Sequence, residues 1–203
     1  MDSKQHWDEV YALKAEDAVS WFQPRPETSL ALIAAADLER HDPIVDVGGG
    51  ASRLVDHLLA DGHTDITVLD VAAAALEKSR ARLGRAADEV HWVVADITRW
   101  WPERRYRLWH DRAVFHFLTQ EADRAAYRRA LEAGLASGGH AILASFALDG
   151  PERCSGLPVQ RYSPHTLAAE LGAGFNLLEQ HQEEHTTPAG RVQRFQYSVF
   201  ARA

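Results

Sequence analysis

Apolar residues fall along this chain in two alternating rhythms. Short runs at 44–47, 66–69, 91–94, 106–114 and 140–146 have the length and branched or aromatic character of buried strands. Between them lie stretches with helical spacing. The clearest is 51–60, which places Leu54, Val55, Leu58 and Leu59 on one face. Further helices are predicted from Val71 onward and over 122–136, with Gly138-Gly139 turning the chain into the fifth strand. This alternation predicts βαβ units around a parallel sheet. The ends of the chain depart from it. Residues 3–14 and 26–38 read as helices flanking an irregular stretch that holds Trp21 and Phe22. After a long irregular segment, 147–160, Ser163-Pro164 cap a helix running to Leu171. Strands at 175–183 and 192–202 then flank a turn at Thr187-Pro188-Ala189-Gly190, predicting a terminal antiparallel hairpin. The predicted class is α/β, a doubly wound, mostly parallel seven-stranded sheet ending in that hairpin.

Composition narrows the setting. At 203 residues and 22.6 kDa, one domain spanning 1–203 is expected. A net charge of −7 argues against nucleic acid as the main partner. No apolar run approaches the roughly 20 residues of a membrane span, and residues 1–7 lack the apolar core of a signal peptide. Cys154 is the only cysteine, which excludes an intrachain disulfide and points to a reducing, cytoplasmic setting.

The first strand carries the most specific pattern. Asp46 sits inside it, and Gly48-Gly49-Gly50 follow at once. Glycines there can adopt positive φ and let a ligand approach the backbone. A dinucleotide fingerprint needs a third spaced glycine where Arg53 stands, and Asp46 is poorly placed for a pyrophosphate. It is well placed to accept from an ammonium. The second strand ends in Asp70, positioned for ribose hydroxyls or, alternatively, as a helix N-cap. The third is closed by Asp96. In a doubly wound sheet these strand ends meet in one crevice.

Asp46-x-Gly48-x-Gly50 resembles the first motif of class I S-adenosylmethionine-dependent methyltransferases, and the element order matches their Rossmann-like core over nearly the whole chain. The resemblance implies that Asp46, Gly48 and Gly50 hold the methionyl part of S-adenosyl-L-methionine. It implies Asp70 on the ribose, Val71 packing on adenine, and Asp96 with Ile97 near the adenine amino group. Asp111-Arg112 resembles the Asp-Arg-Gly segment of thiopurine and tellurite-resistance methyltransferases, with Ala113 replacing the glycine. The Trp-rich N-terminus is also similar to bacterial relatives of small lysine methyltransferases. On this reading 1–40 is a helical lid, 41–146 the cofactor-binding core, and 147–203 the acceptor-side loop, helix and hairpin. The function it implies is in-line methyl transfer to a small-molecule thiol, chalcogenide, amine or hydroxyl. A protein-lysine substrate is the alternative, and an NAD-dependent oxidoreductase a more remote one.

Candidate roles follow from position. Trp21 either covers the cofactor or packs the N-terminus onto the sheet. Asp111 is expected near the cofactor, and both Asp111 and His116 are candidate general bases. His116 also fits a buried histidine between Phe115 and Phe117. Arg112 could orient an anionic acceptor or pair with Asp111. Cys154 lines the acceptor pocket or is structural. His181-Gln182-Glu183-Glu184-His185 matches a His-x-x-Glu-His zinc pattern, but that pattern needs a helix and here ends a predicted strand. No metal is expected.

Overall fold

A computed structural model describes residues 3–203. The chain runs α1 (Ser3–Leu13), α2 (Glu27–Ala35), β1 (Ile44–Val47), α3 (Leu54–Ala60), β2 (Ile66–Asp70), α4 (Ala73–Leu83), β3 (Val90–Val94) and β4 (Tyr106–Arg112). It continues with α5 (Glu121–Gly134), β5 (Leu135–Phe146), β6 (Arg153–Cys154), β7 (Leu157–Pro158), α6 (Pro164–Leu171), β8 (Phe175–Thr186) and β9 (Val192–Arg202). Seven strands form one sheet in the order β3-β2-β1-β4-β5-β9-β8. The first five are parallel neighbours, and β9 is antiparallel to both β5 and β8. This is the Rossmann-like α/β architecture with a terminal hairpin. Among the described residues no helix is long and apolar enough to cross a membrane.

The pleat sorts side chains onto two faces. Ile44, Ile66, Val68 and Leu108 pack with Leu30 and Ile33 of α2 and with Leu54, Val55 and Leu58 of α3. Val45, Val47, Leu69 and Trp109 pack instead with Tyr127, Ala130 and Leu131 of α5 and with Leu167 of α6. Along β4 the alternation puts His110 beside Ser29 of α2, and Asp111 against Tyr127 of α5. Two residues adjacent in sequence thereby belong to opposite layers.

Several boundaries differ from the sequence reading. Helix α3 begins at Leu54 rather than Ala51, because the glycine turn runs on and Ser52 Oγ accepts from the Leu54 N–H at 3.1 Å. Strand β4 stops at Arg112, where Ala113 turns with φ 73°. Strand β5 starts directly at the end of α5. Its pairing jumps from Tyr106↔Leu135 to Leu108↔His140, so 136–139 bulge, with Gly138 at φ 69°. The segment 147–160 is not wholly irregular, since β6 and β7 form a small hairpin within it. Helix α6 has the expected cap, a reciprocal Ser163–Thr166 box with Pro164 in the first turn.

Candidate active site

The neighbours of β1 are β2 on one side and β4 on the other, so chain order reverses there. Open α/β sheets bind ligands at the carboxyl ends of such strands. Here a cleft of about 780 Å³, counting its open mouth, is bounded by Leu69, Asp70 and Val71 from β2 and by Ala95, Asp96 and Ile97 beyond β3. Trp7, Tyr11, Trp21, Arg112, Phe117 and Cys154 close its other side. A second chamber shares Tyr11, Trp21, Gly48 and Arg112 with it and reaches Ser29, Asp46 and His110.

The glycine turn between the chambers tolerates no side chain. Gly48 has φ 70°, and a Cβ there would overlap Val114 Cγ2. Gly50 has φ 37°, and its Cβ would stand 2.6 Å from Asp70 Oδ2. Gly49, which the motif treats as variable, is equally confined: its Cβ would come 2.5 Å from Asp46 Oδ2. The turn is pinned to the next strand, with the Gly48 and Gly49 N–H groups both donating to Leu69 O, at 2.7 and 3.2 Å.

Asp70 is buried, and one oxygen accepts from the Ala72 N–H at 2.8 Å. Burial pushes its carboxyl up to about 7 against that hydrogen bond, and the nearby Asp46 and Asp8 carboxylates add to the rise. It is not the N-cap of α4; that position is Ala72. Asp96 turns the chain after β3 by accepting from the Thr98 N–H at 2.9 Å and the Thr98 hydroxyl at 2.7 Å. Asp46 lies opposite His110 in the β1–β4 register. Its Oδ1 is 2.7 Å from His110 Nδ1, and His110 Nε2 is 2.9 Å from Ser29 Oγ. Sequence reasoning missed His110 and Ser29, because the pairing exists only once the strand order is known.

On the far side the sequence expectations divide. Trp21, Arg112 and Cys154 do line the cleft. Arg112 pairs with Glu183 at 3.3 Å, not with Asp111. Burial pushes the Cys154 thiol up to about 11, so it stays protonated at neutral pH. Asp111 and His116 lie apart from the cleft. Asp111 has no exposed surface and faces α5, accepting from Tyr127 Oη (2.7 Å) and the Val114 N–H (2.9 Å). Its carboxylate fixes the turn after β4 and lines neither chamber. His116 is equally buried, its ring 4.4 Å from that of Phe117 and 4.9 Å from that of Phe146. Burial drives it down to about 3, leaving a neutral imidazole away from the cleft. Tyr11 was not assigned to the site, yet with Trp7 of the expected lid and Phe117 it walls the cleft. Trp7 stands edge-on to Trp21 at 5.6 Å and to Phe117 at 5.1 Å. Trp7 and Tyr11 lie one helical turn apart on α1, a spacing visible in the sequence but without a stated partner.

Residues 44–139 match the family model described as a methyltransferase domain. No curated protein matches the chain in sequence. Solved structures share its fold at low identity. One is a SAM-dependent methyltransferase from Anabaena variabilis, with 14% identity, TM-score 0.75, and 98% of this chain and 93% of that one covered. The N-methyltransferase NodS from Bradyrhizobium japonicum, in complex with S-adenosyl-L-homocysteine, is 16% identical with TM-score 0.72, covering 99% of both chains. The 1,6-didemethyltoxoflavin-N1-methyltransferase of Burkholderia thailandensis is 18% identical with TM-score 0.71, covering 99% of this chain and 84% of its own.

Proposed function

We propose that this protein transfers a methyl group from S-adenosyl-L-methionine to a small-molecule nucleophile. The reading rests on one observation. Asp46, Asp70 and Asp96 converge from three adjacent parallel strand ends beside a turn in which Gly48 and Gly50 have positive φ. The residues fit this cofactor. Asp70, a buried carboxylate in the company of acids, suits ribose hydroxyls that donate to it. Val71 and Ile97 flank the place for adenine, with Asp96 at its amino edge. Asp46 and the close-packed turn suit the methionyl end, where an ammonium meets a carboxylate and no phosphate is present. A dinucleotide would bring its pyrophosphate against Asp46 and Asp70.

The cofactor's sulfonium makes its methyl group electrophilic. The protein's part is alignment, worth roughly 7–11 kcal/mol of barrier when two reactants are held in line. Arg112, Cys154, Trp7 and Phe117 form the acceptor wall, and Trp21 covers the junction of the two chambers. Cys154 holds its proton, and Asp111 and His116 lie in the core. The acceptor therefore supplies its own lone pair, as a free amine, a ring nitrogen or a thiolate. Two structures that share the fold support this class: the N-methyltransferase NodS and the 1,6-didemethyltoxoflavin-N1-methyltransferase, bound to its small-molecule substrate. The aromatic cover favours a small acceptor over a protein side chain.

Titration calorimetry with S-adenosylmethionine, S-adenosylhomocysteine and NAD tests the cofactor. Both adenosyl sulfur compounds are expected to bind and NAD is not. Binding of NAD alone would overturn the reading. A screen of small amines and thiols for methyl transfer then identifies the acceptor.

A further inference from the structure

The His-x-x-Glu-His pattern at 181–185 lies on β8, where strand alternation turns Glu183 and His185 to the same inward side. Both meet the N-terminal segment. His185 Nε2 donates to Ser20 O at 2.7 Å. Glu183 Oε1 accepts from Gln23 Nε2 at 3.1 Å and from Arg112 Nη2 at 3.3 Å. Arg112 in turn donates through Nη1 to Trp21 O at 3.1 Å and through Nε to Tyr197 Oη at 2.9 Å, with its guanidinium 4.2 Å over the Phe195 ring. Residues 20, 21 and 23 are thus gripped from two strands, β4 and β8. Trp21, the residue between the outer grips, lines both chambers.

We infer that Glu183 and His185 are positioning residues of the cofactor site, holding segment 20–23 so that Trp21 stays over the junction of the two chambers. The inference rests on the reading that the cleft binds the adenosyl cofactor. Each grip is buried or half-buried, so water replaces it poorly. Burial opposes the charge of Glu183, but Arg112 together with hydrogen bonds from Thr28 and Gln23 outweighs it and holds the carboxyl below its ordinary range. Glu183 is therefore ionised at neutral pH. With Glu183 gone, Arg112 loses its carboxylate partner and Gln23 its acceptor, and the segment keeps only His185 on Ser20 O and an Arg112 without its ion pair on Trp21 O.

Two readouts separate positioning from general stability. Hydrogen exchange on the ligand-free protein reports the amides of 19–23, and stopped-flow displacement reports S-adenosylhomocysteine dissociation. Glu183→Ala and His185→Phe are expected to raise both by about tenfold, the scale of one lost buried hydrogen bond to a charged group. Glu183→Gln retains an acceptor oxygen and should recover part of each. The control is Arg194→Ala, which breaks outward contacts of the same hairpin to Asp149 (2.6 Å) and Glu184 (3.0 Å) and should change neither. Unchanged exchange and dissociation in Glu183→Ala and His185→Phe would overturn the inference, as would Arg194→Ala reproducing their effect. Failure of the unmodified protein to bind S-adenosylhomocysteine overturns the cofactor reading and the positioning role with it.

Discussion

The two halves of the cleft differ in how their polar groups are satisfied. On the β1–β3 side, Asp70 is buried among acids, and burial has pushed it up to about 7. It has a hydrogen-bonding demand that a ligand's hydroxyls can meet. Across β4 the polar groups answer one another. Arg112 is met by Glu183, Tyr197 and a backbone carbonyl, and Asp111 by Tyr127 and two N–H groups. On the proposed reading the first half meets the cofactor's polar groups, and the second fixes the shape of the acceptor wall. Mutations in the first should therefore cost affinity with stability intact, and mutations in the second should cost stability or order.

The largest expected effect is at the turn. Gly48→Val places a branched side chain at φ 70° and onto Val114. Calorimetry should detect no binding of S-adenosylhomocysteine, and normal affinity would reduce the turn to structural punctuation. Next comes Asp111→Ala on the other side. Each buried donor left unpaired costs about 1–3 kcal/mol, so the denaturation midpoint should fall well below that of the unmodified protein. An unchanged midpoint with lost turnover would return Asp111 to the chemistry.

Asp70→Ala should weaken S-adenosylhomocysteine binding at least about tenfold, since hydrogen bonds to a charged group are worth about 1.5–3 kcal/mol each. The same residue predicts a pH dependence. With its folded value raised to about 7, Asp70 is largely protonated at pH 6. Donor hydroxyls favour the carboxylate, so binding should release a proton there and weaken as the pH falls from 7 to 5. Asp70→Asn should flatten that slope. Without ligand the sign reverses: the folded state holds a proton that the unfolded chain releases near 4. Asp70 thus costs stability as the pH rises from about 4 to 7.

The smallest effect on activity is expected at His116. Its folded value, lowered to about 3, means that the unfolded chain takes up a proton below about 6.5 that the folded protein refuses. Wild-type stability should therefore fall as the pH drops from 6.5 toward 3. His116→Leu should lack that component and retain turnover. A loss of turnover by roughly 10²-fold or more, the range for a lost general base, would contradict its burial.

How much of this was legible in the sequence follows the same division. The acids at 46, 70 and 96 and the glycines at 48 and 50 sit at or just past their own strand ends, so local pattern sufficed to place them. So did the strand runs, because burial on both faces leaves an unbroken apolar signature. On the other side the partners are remote. Arg112 meets Glu183 71 residues away and Trp21 91 away, and His185 meets Ser20 across 165. No local rhythm encodes those distances. The burial of Asp111 and His116 was illegible for a simpler reason: proximity to a strand end does not say which face a side chain takes. The pleat put Asp111 opposite Arg112, and the short helical turn at Phe115–Phe117 folded His116 into the core.

A crystal structure grown with S-adenosylhomocysteine tests the central claim most directly. The account predicts ribose hydroxyls on Asp70, adenine between Val71 and Ile97 beside Asp96, and the amino-acid end over Gly48 toward Asp46. Trp21 should remain over the junction. A ligand bound elsewhere, or one whose ribose makes no contact with Asp70, would contradict it.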